Sequence, residues 1–166
     1  MSSLQLNISS LAKTLVSLCL EKNVTFGTAE SCTGGLISAF VTDVAGASAV
    51  FFGGIVSYDS SVKEKLLGVR SQTLAANGAV SAETALEMST GALRALGVDY
   101  AVAVTGLAGP GGGTPEKPVG LVYVSAASPR GAVVTENHFS GDRETVRLQT
   151  VEKALSLLIE TVEKHS

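Results

Sequence analysis

The segment Val24–Gly35, VTFGTAESCTGG, most constrains what this chain can fold into. It begins as a short β-prone run and ends in small and hydroxylated residues, and the apolar residues of the following LISAFV recur at helical spacing. The pattern predicts a strand, a tight turn and a helix, with Ser31 and Cys32 on the turn. The first N–H groups of a helix lack partners within it, so a hydroxyl or thiol placed there lies beside a ready anion or oxyanion site. The simpler alternative is that Ser31 or Thr33 only caps the helix.

Composition bounds the class of protein. A chain of 166 residues with 45% hydrophobic and 16% charged residues suits one domain, residues 1–166, with a real core. A net charge of −3 gives no broad attraction for nucleic acid or acidic lipid. Neither a signal-peptide pattern nor an apolar run of membrane-spanning length is present, and Cys19 and Cys32 form neither a disulfide framework nor a zinc spacing. We expect a cytoplasmic domain with no nucleic-acid or membrane partner.

Periodic segments continue along the chain and predict its remaining elements. Predicted helices span about residues 8–22, 60–67, 71–76 and 81–96, with a last one from residue 142; predicted strands span 51–58, 100–105, 119–126 and 131–139. Helices interleave with strands early, and a hairpin comes late. This order predicts an α/β fold, a three-layer α/β/α sandwich around a mixed, mostly parallel sheet. The small-residue stripe of helix 81–96 would suit close packing against another subunit, so a homo-oligomer is also expected.

Residues suited to catalysis follow three predicted strands. Ser31 and Cys32 follow the first, Tyr58 ends the second with Lys63 five residues further on, and Thr105 leads into a glycine-rich loop after the third. In open α/β sheets, ligands bind beyond the carboxyl ends of the strands, so these segments can converge on one crevice. Taken singly, the tyrosine could be a half-buried strand residue and the lysine a solvated helix residue.

Serine is a weak nucleophile unless a neighbouring base takes its proton. Of the two histidines, His165 is the penultimate residue and His138 lies on a predicted strand away from the early loops. Lys63, with its pKa lowered by burial or a nearby cation, is the better base for Ser31. Tyr58 would relay the proton or orient the pair. Cys32 is a rival nucleophile, because thiols are intrinsically more nucleophilic, but neighbouring side chains on a tight turn cannot both face the crevice.

Two further segments suggest ligand contacts. The loop 106–118, GLAGPGGGTPEKP, lacks the nucleotide-triphosphate and dinucleotide patterns, but its glycines allow a ligand to approach the backbone closely. Arg143 and Arg147 lie four residues apart in the first turns of the last helix, where cations oppose the helix dipole. The two arginines predict a binding site for a phosphomonoester. The alternative is that they form salt bridges on the surface.

The motifs TAESCTGG, GGIVSYDSSVKEKLLGV, GAVS, AVAVTGLAGPGGGTPEKPVGLVYV and FSGDRETVR, in that order, resemble the CinA C-terminal domain family over about Leu11–Leu158. The resemblance implies a nicotinamide-nucleotide amidohydrolase, which converts nicotinamide mononucleotide (NMN) to nicotinic acid mononucleotide and ammonia. It also implies a serine nucleophile, Ser31, with Lys63 in place of a histidine and Tyr58 beside them. In one departure from the family pattern, Ser60 stands where an asparagine often follows the tyrosine by two residues.

We therefore expect Ser31, Lys63 and Tyr58 to be catalytic, backbone N–H groups from Cys32 to Gly34 to hold the oxyanion, and NMN to be the small-molecule substrate. No cofactor and no metal are expected. The alternative is a non-catalytic module that binds a pyridine nucleotide. The residues expected to contact the substrate are Glu30, Cys32, Thr33, Gly34, Thr105, Gly106, Gly109, Arg143 and Arg147.

Overall fold

The computed structural model describes residues 1–165. The helices are α1 (Ser3–Lys22), α2 (Leu36–Thr42), α3 (Ser60–Leu67), α4 (Ser71–Asn77), α5 (Ala82–Leu96) and α6 (Arg143–His165), with a short 3-10 turn at Ala47–Ala49. The strands are β1 (Phe26–Glu30), β2 (Phe51–Val56), β3 (Tyr100–Gly106), β4 (Leu121–Ser128) and β5 (Gly131–His138). Every predicted element is present, and within the described residues no helix is long and apolar enough to cross a membrane.

The five strands form one sheet in the order β2-β1-β3-β4-β5. β1 pairs in parallel with β2 and β3, whereas β4 pairs antiparallel with both β3 and β5. Only β4 therefore runs against the common direction, which confirms the mixed, mostly parallel sheet. The carboxyl ends of β1, β2 and β3 consequently meet at one edge, where the predicted catalytic residues follow them.

Helices cover both faces of this sheet, as the predicted three-layer sandwich requires. Val102 and Val104 belong to a core shared with α1, α2 and α6, while Ala101 and Ala103 belong to a second core shared with α5. Successive side chains of a strand point to opposite faces, so the uninterrupted apolar run of β3 is what two covered faces demand.

The small residues of α5 are used within the chain. A Cβ added to Gly91 would lie 1.8 Å from the carbonyl oxygen of Leu67, the last residue of α3, so only glycine permits this approach. Ala85, Met88 and Ala92 of the same helix are also fully buried. The stripe therefore sets the position of α3, the helix that carries Lys63, and it no longer argues for a subunit contact.

Strand β2 ends at Val56 and not at Tyr58, so Tyr58 follows the strand. The first residues of two other elements differ from the sequence prediction by two residues or more. Helix α1 begins earlier than predicted because Ser2 and Gln5 form a reciprocal capping box: Ser2 Oγ accepts from Gln5 N, and Gln5 Oε1 accepts from Ser2 N at 2.8 Å. Strand β4 begins two residues late, at Leu121, because Gly120, with φ at +94°, still belongs to the turn that enters the strand. Neither change moves the candidate site.

Candidate active site

A cavity of about 270 Å³ lies at the carboxyl ends of the parallel strands. Its lining combines the end of each of these strands with the glycine loop, the segment before α5 and the first residue of α6. The lining residues are Ser31, Cys32, Tyr58, Lys63, Ala79, Val80, Thr105, Gly106, Leu107, Ala108, Gly109, Gly111 and Arg143. Eight residues predicted from the sequence are thus brought together here.

Lys63 and Ser31 form a buried hydrogen-bonded pair at the base of the cavity. Lys63 Nζ lies 3.0 Å from Ser31 Oγ, and the lysine is only 1% exposed. Helix α3 begins beside the site because the Asp59 carboxylate accepts from Ser61 N at 2.9 Å, and Lys63 follows one turn later. Burial lowers the pKa of Lys63, and the Asp59 carboxylate opposes this shift more weakly.

The other contacts of the Lys63 amine suit a base. Its Nζ also donates to the carbonyl oxygens of Ser57, at 2.6 Å, and Tyr58, at 3.2 Å. A neutral amine has two N–H bonds and one lone pair. When both N–H bonds are directed at these carbonyls, the lone pair is left to accept the proton of Ser31 Oγ. The same three contacts also accommodate the ammonium, so one proton can pass between Oγ and Nζ without rearrangement of the lysine.

Cys32 lines the cavity but lacks the features of a nucleophile. Burial raises the pKa of its thiol to about 12, with the Glu30 carboxylate adding to the shift, so the thiol keeps its proton near neutral pH. The Lys63 amine is hydrogen-bonded to Ser31 Oγ, and no hydrogen bond within residues 1–165 joins it to this thiol. The geometry favours the serine.

Glu30, expected to contact the substrate, instead organises the turn from inside the protein. Its carboxylate is fully buried and lies outside the cavity lining. Oε2 accepts from Thr33 Oγ1 at 2.6 Å, Gly35 N at 3.1 Å and Ile37 N at 3.0 Å, while Oε1 accepts from Ser38 N at 2.9 Å and Ser38 Oγ at 2.8 Å. The carboxylate thus satisfies the free N–H groups that begin α2, which leaves this helix terminus no capacity for a ligand anion.

Arg147, expected to bind phosphate, holds the same turn from the outside. Its Nε donates to the Cys32 carbonyl at 3.1 Å and its Nη2 to the Thr33 carbonyl at 2.8 Å. Thr33 is fully buried, and Gly34 lies against the guanidinium. None of these residues except Cys32 lines the cavity. Residue spacing showed that the two arginines share a helix face, but not that one of them would be bound to the Ser31 turn.

Arg143 and Tyr58 face each other across the mouth of the cavity. Arg143 is exposed; its Nη1 donates to the Gly109 carbonyl at 2.7 Å, and its Nη2 donates to the Tyr58 hydroxyl at 3.2 Å. The phenol is therefore placed against this arginine and not against Ser31 or Lys63. The orienting role foreseen for Tyr58 is performed by its backbone carbonyl, and the side chain offers no relay contact. Of the two predicted phosphate ligands, only Arg143 lies at the mouth of the cavity.

Sequence reasoning missed several residues of the site. Ser57 supplies the 2.6 Å carbonyl contact to Lys63, and Ala79 and Val80 form an apolar wall. This wall is joined to β3 because Thr105 Oγ1 donates to the Ala79 carbonyl at 2.7 Å. The GAVS motif was the signal for it, but three small apolar residues indicate no chemistry. Among residues 1–165, no group of three or more His, Cys, Asp or Glu side chains lies close enough to hold a metal ion.

The fold and the site define an α/β sandwich protein with a buried serine–lysine pair in a cavity beside a glycine-rich loop. Residues 8–162 match the model of the CinA C-terminal domain, and the chain belongs to that family. The resemblance noted in the sequence is thereby confirmed.

Similar curated proteins cover most of this chain. A CinA-like protein of Leptospira interrogans serogroup Icterohaemorrhagiae serovar copenhageni is 58% identical over 125 residues, covering 75% of this chain and 30% of that protein. A CinA-like protein of Geobacter sulfurreducens is 51% identical over 138 residues, covering 83% and 33%. The chain thus spans about a third of the length of these curated relatives.

The crystal structure of the competence/damage inducible protein CihA from Agrobacterium tumefaciens superposes with a TM-score of 0.92 at 43% identity, over 95% of this chain and 96% of that one. The competence damage-inducible protein A from Klebsiella pneumoniae also superposes with a TM-score of 0.92, at 34% identity, over 96% and 99% of the two chains. These names belong to those proteins and describe no reaction.

Proposed function

We propose that this protein is an amidohydrolase that converts NMN to nicotinic acid mononucleotide and ammonia. The observation that carries the proposal is the buried Ser31–Lys63 pair, with Nζ and Oγ 3.0 Å apart and a lysine pKa lowered by burial. A desolvated neutral lysine next to a serine hydroxyl is an arrangement that activates serine for acyl transfer.

In the first half-reaction, Ser31 Oγ attacks the carboxamide carbon while its proton moves to Lys63 Nζ. The carbonyl π electrons move to oxygen, and the resulting oxyanion accepts hydrogen bonds from backbone N–H groups of the turn. The tetrahedral intermediate then collapses, and the C–N bond breaks. The lysine ammonium gives its proton to the departing nitrogen, ammonia is released, and an acyl-serine ester remains on the enzyme.

In the second half-reaction, water attacks the ester carbon and gives a proton to Lys63. Collapse of the second tetrahedral intermediate breaks the bond from carbon to Ser31 Oγ, which recovers the proton from the lysine ammonium. Nicotinic acid mononucleotide is released as its carboxylic acid, which then ionises. The balance is one amide and one water consumed for one acid and one ammonia. The cavity supplies no other residue that both reaches Ser31 Oγ and exchanges a proton with it.

The cavity also suits the rest of this substrate. Ala79, Val80 and Leu107 offer an apolar wall for a flat ring. The ring of NMN is a pyridinium cation, which a neutral Lys63 would not repel as an ammonium would, and burial lowers the pKa of Lys63 in the direction of that neutral form. The exposed Arg143 guanidinium at the mouth is placed to pair with a phosphate further along the ligand.

The test is ammonia release from NMN, nicotinamide riboside and NAD measured side by side. We expect turnover to be fastest with NMN and to be abolished in Ser31→Ala, whose melting temperature should remain close to that of the wild type. Binding of NMN without ammonia release would contradict the proposal and favour the non-catalytic binding module.

A further inference from the structure

We infer that Arg147 is a positioning residue for the oxyanion-binding amides of the Ser31 turn, and not a ligand for the substrate phosphate. The inference rests on the proposed amide hydrolysis, because it concerns how that reaction's negative charge would be stabilised. It assigns a distinct function to the second arginine of the α6 pair, four residues from Arg143 and on the same helix face.

The Arg147 guanidinium is already occupied by contacts within the protein. Two of its donor nitrogens are bound to consecutive carbonyls of the turn, Cys32 O at 3.1 Å and Thr33 O at 2.8 Å. Such a forked contact fixes both peptide planes, and only an arginine has the rigid geometry to make it. A phosphate would have to compete with these two bonds on a partly buried guanidinium. Arg143 also makes two hydrogen bonds, but its side chain is exposed at the mouth of the cavity.

Most backbone amides around Ser31 already donate to acceptors within the protein. The N–H of Ser31 donates to Val104 O at 3.2 Å and that of Gly34 to Ser31 O at 3.1 Å, while those of Gly35, Ile37 and Ser38 donate to the Glu30 carboxylate. Within residues 1–165, neither Cys32 nor Thr33 donates its N–H to another residue. Cys32 lines the cavity, and the Thr33 N–H belongs to the peptide bond that follows Cys32, whereas the Thr33 side chain is buried outside the lining. These are the two amides next to Ser31 that a reacting oxyanion could use.

The peptide bond after Cys32 connects Arg147 to one of these two amides. A trans peptide directs its C=O and N–H in opposite directions. The Cys32 carbonyl belongs to the peptide unit whose N–H is that of Thr33, so a guanidinium holding the carbonyl outward holds this N–H on the opposite side. The positive charge also polarises the peptide, which makes its N–H a stronger donor. The same charge favours an anion at the turn, since Arg147 lowers the pKa of Cys32 against the larger effect of burial.

This contribution grows as charge develops on the carbonyl oxygen, so its loss should reduce kcat more than it raises KM. Removal of one oxyanion donor typically reduces kcat by about 10²–10³. Arg147 acts through such donors without replacing them, so we expect Arg147→Ala to reduce kcat by about 10–100-fold, with KM for NMN changed by less than about twofold. A lost phosphate ligand would instead raise KM for NMN and spare nicotinamide riboside.

The experiment compares Arg147→Ala and Arg147→Lys with the control Lys153→Ala, a partly exposed cation on the same helix. Both kcat and KM are measured on NMN and nicotinamide riboside. The rate at which a fluorophosphonate labels Ser31 is measured as well, because this probe forms a tetrahedral adduct and carries no nucleotide. We expect the alanine variant to lose equally on both substrates and to label about 10–100-fold more slowly. Added guanidinium should partly restore it, the lysine variant should be intermediate, and the control should match the wild type.

Arg147 variants that label at the wild-type rate, or that lose activity only through KM for NMN, would overturn the inference. Arg147→Lys keeps the test valid if the alanine variant does not fold, because it retains the charge while losing the fork. A wild-type protein that is labelled at Ser31 but releases no ammonia from NMN would refute the proposed substrate and leave the labelling comparison to decide the role of Arg147. A wild type that shows neither labelling nor turnover would overturn both.

Discussion

Replacement of Glu30 by glutamine tests whether the buried Glu30 carboxylate stabilises the Ser31 turn. The substitution keeps the shape of the side chain but presents an NH₂ group in place of one oxygen. The glutamine can keep its carbonyl on the side of Thr33, Gly35 and Ile37, with the NH₂ group facing Ser38 N–H, which was a donor to Oε1 at 2.9 Å. The serine hydroxyl can turn to accept, but this backbone N–H is orphaned.

The magnitude follows from these contacts. An orphaned buried donor costs about 1–3 kcal/mol, and three hydrogen bonds that change from charge-assisted to neutral lose about 1 kcal/mol each. We therefore expect Glu30→Gln to reduce the free energy of unfolding by about 4–6 kcal/mol, a large fraction of the about 5–15 kcal/mol typical of a domain. At about 2–4 °C per kcal/mol for a domain of this size, the melting temperature should fall by about 8–24 °C.

Urea denaturation and thermal melting measure this effect, with Glu116→Gln as the matched control. Glu116 is exposed on the glycine-rich loop, so the same change there should alter the free energy of unfolding by no more than about 0.5 kcal/mol. A loss below about 1 kcal/mol in Glu30→Gln would refute the reasoning, because it would mean that the five hydrogen bonds add little beyond what water supplies in the unfolded chain.

Three further predictions concern the reaction. Cys32→Ala should retain most NMN turnover, because burial keeps the thiol protonated; loss of turnover in this variant with retention in Ser31→Ala would reverse the nucleophile assignment. Activity should rise with pH as Lys63 loses its proton and should level off above the lowered pKa of Lys63. Lys63→Arg should be nearly inactive, because arginine retains a charge but cannot become a neutral base. A kcat of Lys63→Arg near the wild-type value would show that charge alone suffices. Arg143→Ala should lower kcat/KM for NMN by about 10–100-fold, since a charge-assisted contact is worth about 1.5–3 kcal/mol, while kcat/KM for nicotinamide riboside stays within about twofold. Equal losses on the two substrates would place the phosphate elsewhere.

The secondary-structure elements around the site were predictable from the sequence. Strand–turn–helix order around Ser31, the helix that carries Lys63 and the buried strand before Thr105 follow from hydrophobic period and turn residues, which act over a few positions. The rule that ligands bind at the carboxyl ends of parallel strands then brings these segments to one edge. Some helix ends were set by caps that the sequence also contains, such as Ser81, whose hydroxyl accepts from Thr84 N at 3.1 Å.

The roles of charged side chains around the turn were decided by tertiary structure alone. The spacing of Arg143 and Arg147 is the same whether both bind phosphate or one clamps Cys32 and Thr33, more than 100 residues earlier in the chain. Which partner a charged group takes depends on the packing of α6 against β3 and α2, and no local pattern records it. Likewise, the lowered pKa of Lys63 comes from burial under packed helices. The sequence by itself determined the elements and the reactive residues, because these depend on short-range periodicity. Tertiary structure decided which of those residues face the cavity and which hold its walls, because hydrogen bonding and desolvation depend on distances in space.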